Sequence, residues 1–225
     1  MNRELSRDAI RYLSAITDVL QRFGDPDSLQ AIDDVSKLIS RALRDGQQVH
    51  LFDNGHFLGN EFLQRAGGVP FLHCLRGEEV RDPAIVRSRD VLIIASVSGR
   101  STAVVEMAML ARERGVHLVA LTSLAQARGA PAEHPSGKRL HELADVTLDI
   151  GGVQGDGLLD FPGISHRFGP ASGIASAVLL WMVLAQVVGN LLAAGLQPTV
   201  FPSVNVPGGA EAFQEALAAF QRRGV

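Results

Sequence analysis

The sequence predicts an α/β fold: a three-layer α/β/α sandwich around a five-stranded parallel sheet in the flavodoxin-like order 2-1-3-4-5. Three observations predict it. Short apolar runs rich in Val, Ile and Leu recur along the chain, each bounded by turn residues. Helical patterns separate those runs, and strands alternating with helices imply parallel pairing through right-handed crossovers. The chain has 225 residues with 46% hydrophobic content, enough to bury a sizeable core.

The elements follow in order. Ser6 is placed to cap a first helix whose apolar stripe is Ile10, Leu13, Ile16, Val19 and Leu20. The turn Gly24-Asp25-Pro26-Asp27 ends that helix. A second helix turns Leu29, Ile32, Val35, Leu38, Ile39, Ala42 and Leu43 inward. Strands are expected at 48–52, 70–75, 90–95, 116–121 and 146–150. Asp53 to His56 forms a loop that leads into a helix ending at Arg65, and another helix spans 102–111. Gly151 to Gly169 is rich in Gly and Asp and reads as a long loop of the kind that often carries function. A long apolar helix spans 171–192, and an extended segment with Pro198, Pro202 and Pro207 follows. An amphipathic helix covers 210–222. With no repeat and no linker, the chain reads as one domain over 1–225: a helical pair at 1–46, a core at 47–196 and a C-terminal segment at 197–225.

Charge and composition narrow the function classes. Net charge is −3 with both signs scattered, so neither a basic stripe for nucleic acid nor a cationic membrane-binding run is present. Met1 to Leu20 is charged and amphipathic and lacks an apolar signal core, which argues against secretion. Ile174 to Leu196 is long enough to span a bilayer, but Ser176, Gln186, Gly189 and Asn190 interrupt it, so it reads as a buried core or interface helix. Cys74 is the only cysteine and sits in an apolar run as a structural thiol. The absence of a disulfide framework suits the cytoplasm.

In an open parallel sheet, ligands bind beyond the carboxyl ends of the strands, at the switch point of strand order. Three expected strand ends carry polar or Gly-rich turns: Asp53-Asn54-Gly55-His56, Ser96-Val97-Ser98-Gly99-Arg100-Ser101, and Thr122-Ser123. The second is the richest, and a hydroxyl-lined turn at a helix N-terminus suits an anion, most simply phosphate. Helix capping alone is the competing explanation for each loop. No Gly-x-Gly-x-x-Gly or Gly-Lys-Ser/Thr loop is present, and Val97-Ser98-Gly99 lacks the frame of a serine nucleophile elbow. The histidines have no zinc-like spacing, so no metal is expected.

An apolar strand followed by Ser-x-Ser-Gly-x-Ser and a helix resembles the SIS (sugar isomerase) domain. That family includes phosphoheptose isomerases, the isomerase half of glucosamine-6-phosphate synthase, and etherases acting on N-acetylmuramic acid 6-phosphate. The likeness covers roughly Gln48 to Asp149. Gly55-His56, Arg65-Ala66-Gly67-Gly68, His134-Pro135-Ser136-Gly137-Lys138 and Phe201 to Gly209 look like an uncharacterised group of bacterial single-SIS-domain proteins labelled phosphosugar isomerases.

The resemblance implies that Ser96, Ser98 and Ser101 hold a sugar phosphate and that Gly99 lets the backbone approach it closely. Arg100 recurs in the Ser-Gly-Arg turn of the etherase branch and is counted with the substrate-binding residues. Asn54, Gly55 and His56 would contact the sugar, and Thr122 and Ser123 would flank the phosphate. Aldose–ketose isomerisation needs a group that moves a proton between adjacent carbons. His56, at the loop–helix junction, titrates in the right range; a helix-capping histidine is its alternative. Glu61 sits on the helix where phosphoheptose isomerases place a catalytic glutamate, although a solvated helix residue has the same pattern. His166 and Asp156, in the long loop, would cover the site, or simply belong to a polar surface loop.

One departure stands out. The late helix that carries a Glu or His in related isomerases offers only Ser172, Ser176, Gln186 and Asn190 as polar groups, with Trp181, Met182 and Val183 beside them. The expected function is therefore isomerisation of a phosphorylated sugar or amino sugar without a cofactor. A non-catalytic phosphosugar sensor acting through a partner is the alternative, and a lyase of the etherase kind the third. SIS domains commonly pair, so a homodimer or higher homo-oligomer is expected.

Overall fold

The computed structural model describes residues 6–55 and 58–225. Helices α1 (Arg7–Gln21) and α2 (Pro26–Arg44) precede the sheet; Pro26 at the first position of α2 fits the fixed φ of proline. The strands are β1 (Val49–Asp53), β2 (Leu72–Leu75), β3 (Val91–Ala95), β4 (His117–Thr122) and β5 (Val146–Asp149). All pair in parallel, in the order β2-β1-β3-β4-β5. The switch point thus falls between β1 and β3, as expected for the flavodoxin-like order.

The two-residue period of the strands sorts the sheet into two cores. Leu51, Val91, Ile93, Val119, Leu121 and Leu148 pack against α1, α2 and the long helix α7 (Ser172–Ala193). Phe52, Leu92, Ile94, Leu118 and Ala120 face the other way, onto Val104 and Ala108 of α5 (Thr102–Glu113). Short helices α3 (Leu58–Phe62), α4 (Gly77–Arg81) and α6 (Leu124–Arg128) fill connections, and α8 (Gly209–Arg223) closes the chain. α7 is long and apolar enough to span a membrane by length and composition. In the fold, its Ala175, Leu179, Leu180, Val183, Leu184 and Val187 are buried in the larger core.

Four expectations need correction. The apolar stripe of α1 is only half used: Ile16 and Val19 are buried, but Ile10 and Leu13 are exposed, as is Leu29 on α2. Nothing in the described chain covers these residues. The helix after β1 stops at Phe62 rather than Arg65, because Gln64 adopts a positive φ of 41° that an α-helix cannot continue through. Ser6 makes no capping bond with its side chain. The loop 151–169 contains an antiparallel pair, β6 (Gly157–Leu159) and β7 (Phe168–Pro170). Three-residue strands are too short to show a period. At Gly157 a Cβ would lie 2.5 Å from the Arg167 carbonyl oxygen, so only glycine permits the approach.

A buried polar group sits on the smaller-core face, near the amino end of β1. His50 Nε2 lies 3.3 Å from Asp90 Oδ2, both residues being almost wholly buried. Asp90 also accepts from the N–H groups of Gln48 and Arg87, both at 2.9 Å. Desolvation pushes the His50 imidazole below its usual pKa despite Asp90, and burial does the same to His73, whose ring is 5.8 Å away. Below about pH 6.5, the ordinary imidazole value, the unfolded chain therefore binds protons that the folded chain refuses. Stability should fall as pH drops from that value towards the folded pKa values. Urea midpoints at about pH 7.5 and about pH 5.5 test this; His73→Gln should flatten the difference.

Candidate functional site

Backbone hydrogen bonds bring the three loops together. The Asn54 N–H donates to Ala95 O at 2.9 Å, which ties the loop after β1 to the end of β3. Ser96 N–H donates to Leu121 O at 3.0 Å and Ser123 N–H to Val97 O at 2.9 Å, which ties β3 to β4. Asn54, Gly55, Ser96 to Ser101, Thr122 and Ser123 thus share one end of the sheet. His56 lies outside the described residues.

Within this cluster the hydroxyls divide into two kinds. Thr122 is fully buried and its Oγ1 donates to Val97 O at 2.9 Å. Ser123 Oγ donates to Gly151 O at 2.8 Å and caps α6 by accepting from Gln126 N–H. These two shape the loops. By contrast, Ser96, Ser98 and Ser101 make no side-chain hydrogen bond with the described protein, although Ser96 is buried and the other two are half-buried. The backbone N–H groups from Ser98 to Val104 are equally without partners among the described residues. Ser101 is the N-cap residue of α5 but its side chain does not cap it. The turn therefore presents a row of N–H and O–H donors at the positive end of a helix, an arrangement suited to a phosphate.

A segment between α6 and β5 fixes the turn from behind. Leu140 N–H donates to Gly99 O at 2.7 Å, Glu133 N–H to Arg100 O at 3.3 Å, and Thr102 Oγ1 to Glu133 O at 3.4 Å. The Arg100 guanidinium lies 3.2 Å from Glu133 Oε1, so its charge is directed to that carboxylate. Gly99 holds φ +57°, and a Cβ there would meet Leu140 Cβ at 2.9 Å and Thr122 Oγ1 at 3.2 Å. Nothing in the spacing of residues 133–140 announced this role, because the contact spans more than thirty positions in the chain.

The chain belongs to the UPF0309 family. A UPF0309 protein of Streptomyces avermitilis is 33% identical over 230 residues, covering 91% of this chain and 91% of its own length. A SIS-domain family model matches residues 73–123, a stretch that contains the whole serine turn. Two solved structures share the fold. The sugar isomerase domain of the RpiR transcription factor from Sphaerobacter thermophilus has TM-score 0.52 and 18% identity, covering 98% of this chain and 99% of that one. Phosphoheptose isomerase GmhA from Neisseria gonorrhoeae has TM-score 0.52 and 17% identity, covering 82% of this chain and 97% of that one.

In this UPF0309 chain Glu61 does not stand free. Trp181 Nε1 of α7 donates to its Oε1 at 2.9 Å, and Arg65 forms an ion pair with its other oxygen. The late helix, which carries no Glu or His, thus supplies an indole donor to the carboxylate on α3. No bond joins Glu61 to the serine turn among the described residues. Asp156 serves structure as well: its carboxylate accepts from Ser172 Oγ at 2.6 Å, Ser172 N–H at 3.0 Å and Ala171 N–H at 3.1 Å. It caps α7. His166 is exposed, and Glu106 pairs with Arg81 at the surface. Burial, with Asp53 nearby, raises the Cys74 thiol to about 11, which fits an inert structural cysteine.

Proposed function

We propose that the protein binds a phosphorylated sugar or amino sugar at this end of the sheet and isomerises it between aldose and ketose forms. One observation carries the binding step: the donors of the serine turn and of the α5 N-terminus have no partner in the described chain. A phosphate seated there would receive charge-assisted hydrogen bonds, roughly twice as strong as neutral ones. Ser96, Ser98, Gly99 and Ser101 are its ligands in this reading. Asn54 and Gly55 face the sugar, and Thr122, Ser123 and Arg100 keep the loops in place.

His56 is the group proposed to move the proton. As a neutral imidazole it would take the proton from C2 of the open-chain sugar while the carbonyl oxygen O1 gains one, giving the enediol, and then return its proton to C1 while the C2 hydroxyl gives up its own to become the ketone. Glu61, with both oxygens engaged, orients α3 against α7 and stands behind that step. No cofactor enters this chemistry. The same engagement of Glu61 favours the second reading, a phosphosugar sensor that binds without turnover. The fold is shared with both kinds of protein: an isomerase and a transcription-factor sugar isomerase domain. The reading also takes the protein as cytoplasmic and as at least dimeric; light scattering would test the oligomeric state.

The deciding experiment incubates the protein with hexose, amino-sugar and heptose phosphates in deuterated buffer. A ligand of the folded form raises the unfolding temperature with the logarithm of its concentration. Stabilisation together with loss of the C2 proton signal is the expected result. Stabilisation without exchange would replace the isomerase by the sensor, and no stabilisation by any member would sink both.

A further inference from the structure

At the opposite end of the sheet, beneath the amino ends of β1 and β2, lies a cavity of about 360 Å³. It is bounded by the last turn of α2, the strand edge and the last turn of α8. Its wall includes Arg44, Arg223, Gln47, His73, Phe71 and Phe220, and no acidic side chain. Arg44 makes no ion pair or hydrogen bond with the described protein. Arg223 spends one N–H on Thr199 Oγ1 at 3.1 Å and has no carboxylate partner. Both stand in the last turn of a helix, Arg44 on α2 and Arg223 on α8.

His73 and Phe220 also line a second cavity of about 320 Å³, walled largely by apolar side chains such as Val69, Leu72, Phe201 and Leu217. The two cavities therefore share a wall, one side basic and the other apolar. Each has the volume of a small-ligand pocket. The geometry points to a second ligand site, independent of the serine turn, for a small amphipathic anion. Its phosphate or carboxylate head lies between Arg44 and Arg223, and its apolar body passes His73 and Phe220. Arg forks suit both heads through paired N–H donors. Sugar phosphates, polar along their whole length, do not match the apolar half.

The test uses the full chain carrying Ser98→Ala and Ser101→Ala, so that the serine turn is silenced. Phenyl phosphate and phenylacetate share one body and differ in the head; inorganic phosphate has the head alone. Titration calorimetry should show binding of at least one of the two aromatic anions, and weaker binding of inorganic phosphate. Adding Arg44→Ala and Arg223→Ala should cost about tenfold or more in affinity. Both substitutions lie at exposed positions, and thermal melts check that folding persists. The His73 ring-proton resonance should shift more with the aromatic anion than with inorganic sulfate, a readout that needs no variant. Binding of one head only supports the site and names the head. No binding at millimolar concentration, equal affinity for inorganic phosphate, or indifference to the two arginines would overturn the proposal.

Discussion

Replacing Ser98 and Ser101 together by alanine is expected to weaken sugar-phosphate binding about a hundredfold or more while leaving the fold intact. Each hydroxyl would donate to a charged oxygen, and such hydrogen bonds are worth about 1.5–3 kcal/mol apiece. Since about 1.4 kcal/mol is tenfold in affinity, two of them account for a loss of that size. The fold should hardly notice. Neither hydroxyl bonds to the described protein, so no buried partner is orphaned by its removal. Calorimetric titration beside a thermal melt separates the two effects. Thr122→Val should do the reverse: its hydroxyl is buried against Val97 O, and its loss would act on stability first. An unchanged affinity in the double serine variant would remove the phosphate from this turn.

Gly99→Ala should damage stability and binding together. A non-glycine residue at φ +57° costs about 1–2 kcal/mol. The new Cβ would also press on Leu140, a wholly buried side chain, at 2.9 Å. Overpacking of that kind costs about 1–3 kcal/mol. For a domain of this length, each kcal/mol lowers the melting temperature by roughly 2–4 °C, so a drop of about 4–20 °C is expected. Relief of the contact must move either Leu140 or the turn, and Leu140 N–H is bonded to Gly99 O. The donors would then lose their common focus. A variant that melts like the parent and binds as well would show that the close approach has no consequence.

Much of this was legible in the sequence. The five parallel strands declare themselves because each is a short run, mostly apolar, between turn residues, and alternation with helices makes them parallel; the order 2-1-3-4-5 is the flavodoxin-like one. The serine turn is legible for a related reason: its donors are local, so six consecutive residues contain most of the anion site. What stayed hidden depends on distance along the chain. Asp156 reads as a lid or as a polar loop residue, and its carboxylate reaches sixteen positions on, to the first residue of α7. Glu61 looked like a base on an open helix, and its partner Trp181 is 120 positions away. Ile10 and Leu13 obey the helical period yet are exposed, because a period states which face is apolar and not whether anything covers it. Arg100 looked like a phosphate ligand on its place in the motif, while its charge goes to Glu133.

The cap on α7 has a wider consequence. α7 opens beside the loops at this end, where α5 also begins, and the first turn of any helix attracts negative charge. At α7 the chain seats its own anion, Asp156, and that berth is taken before any solute arrives. At α5 the berth is left vacant. Of this pair, a dianion diffusing to the surface therefore meets one open seat, at α5. Discrimination between them needs no motion and no recognition of the sugar; it was settled when the polypeptide folded.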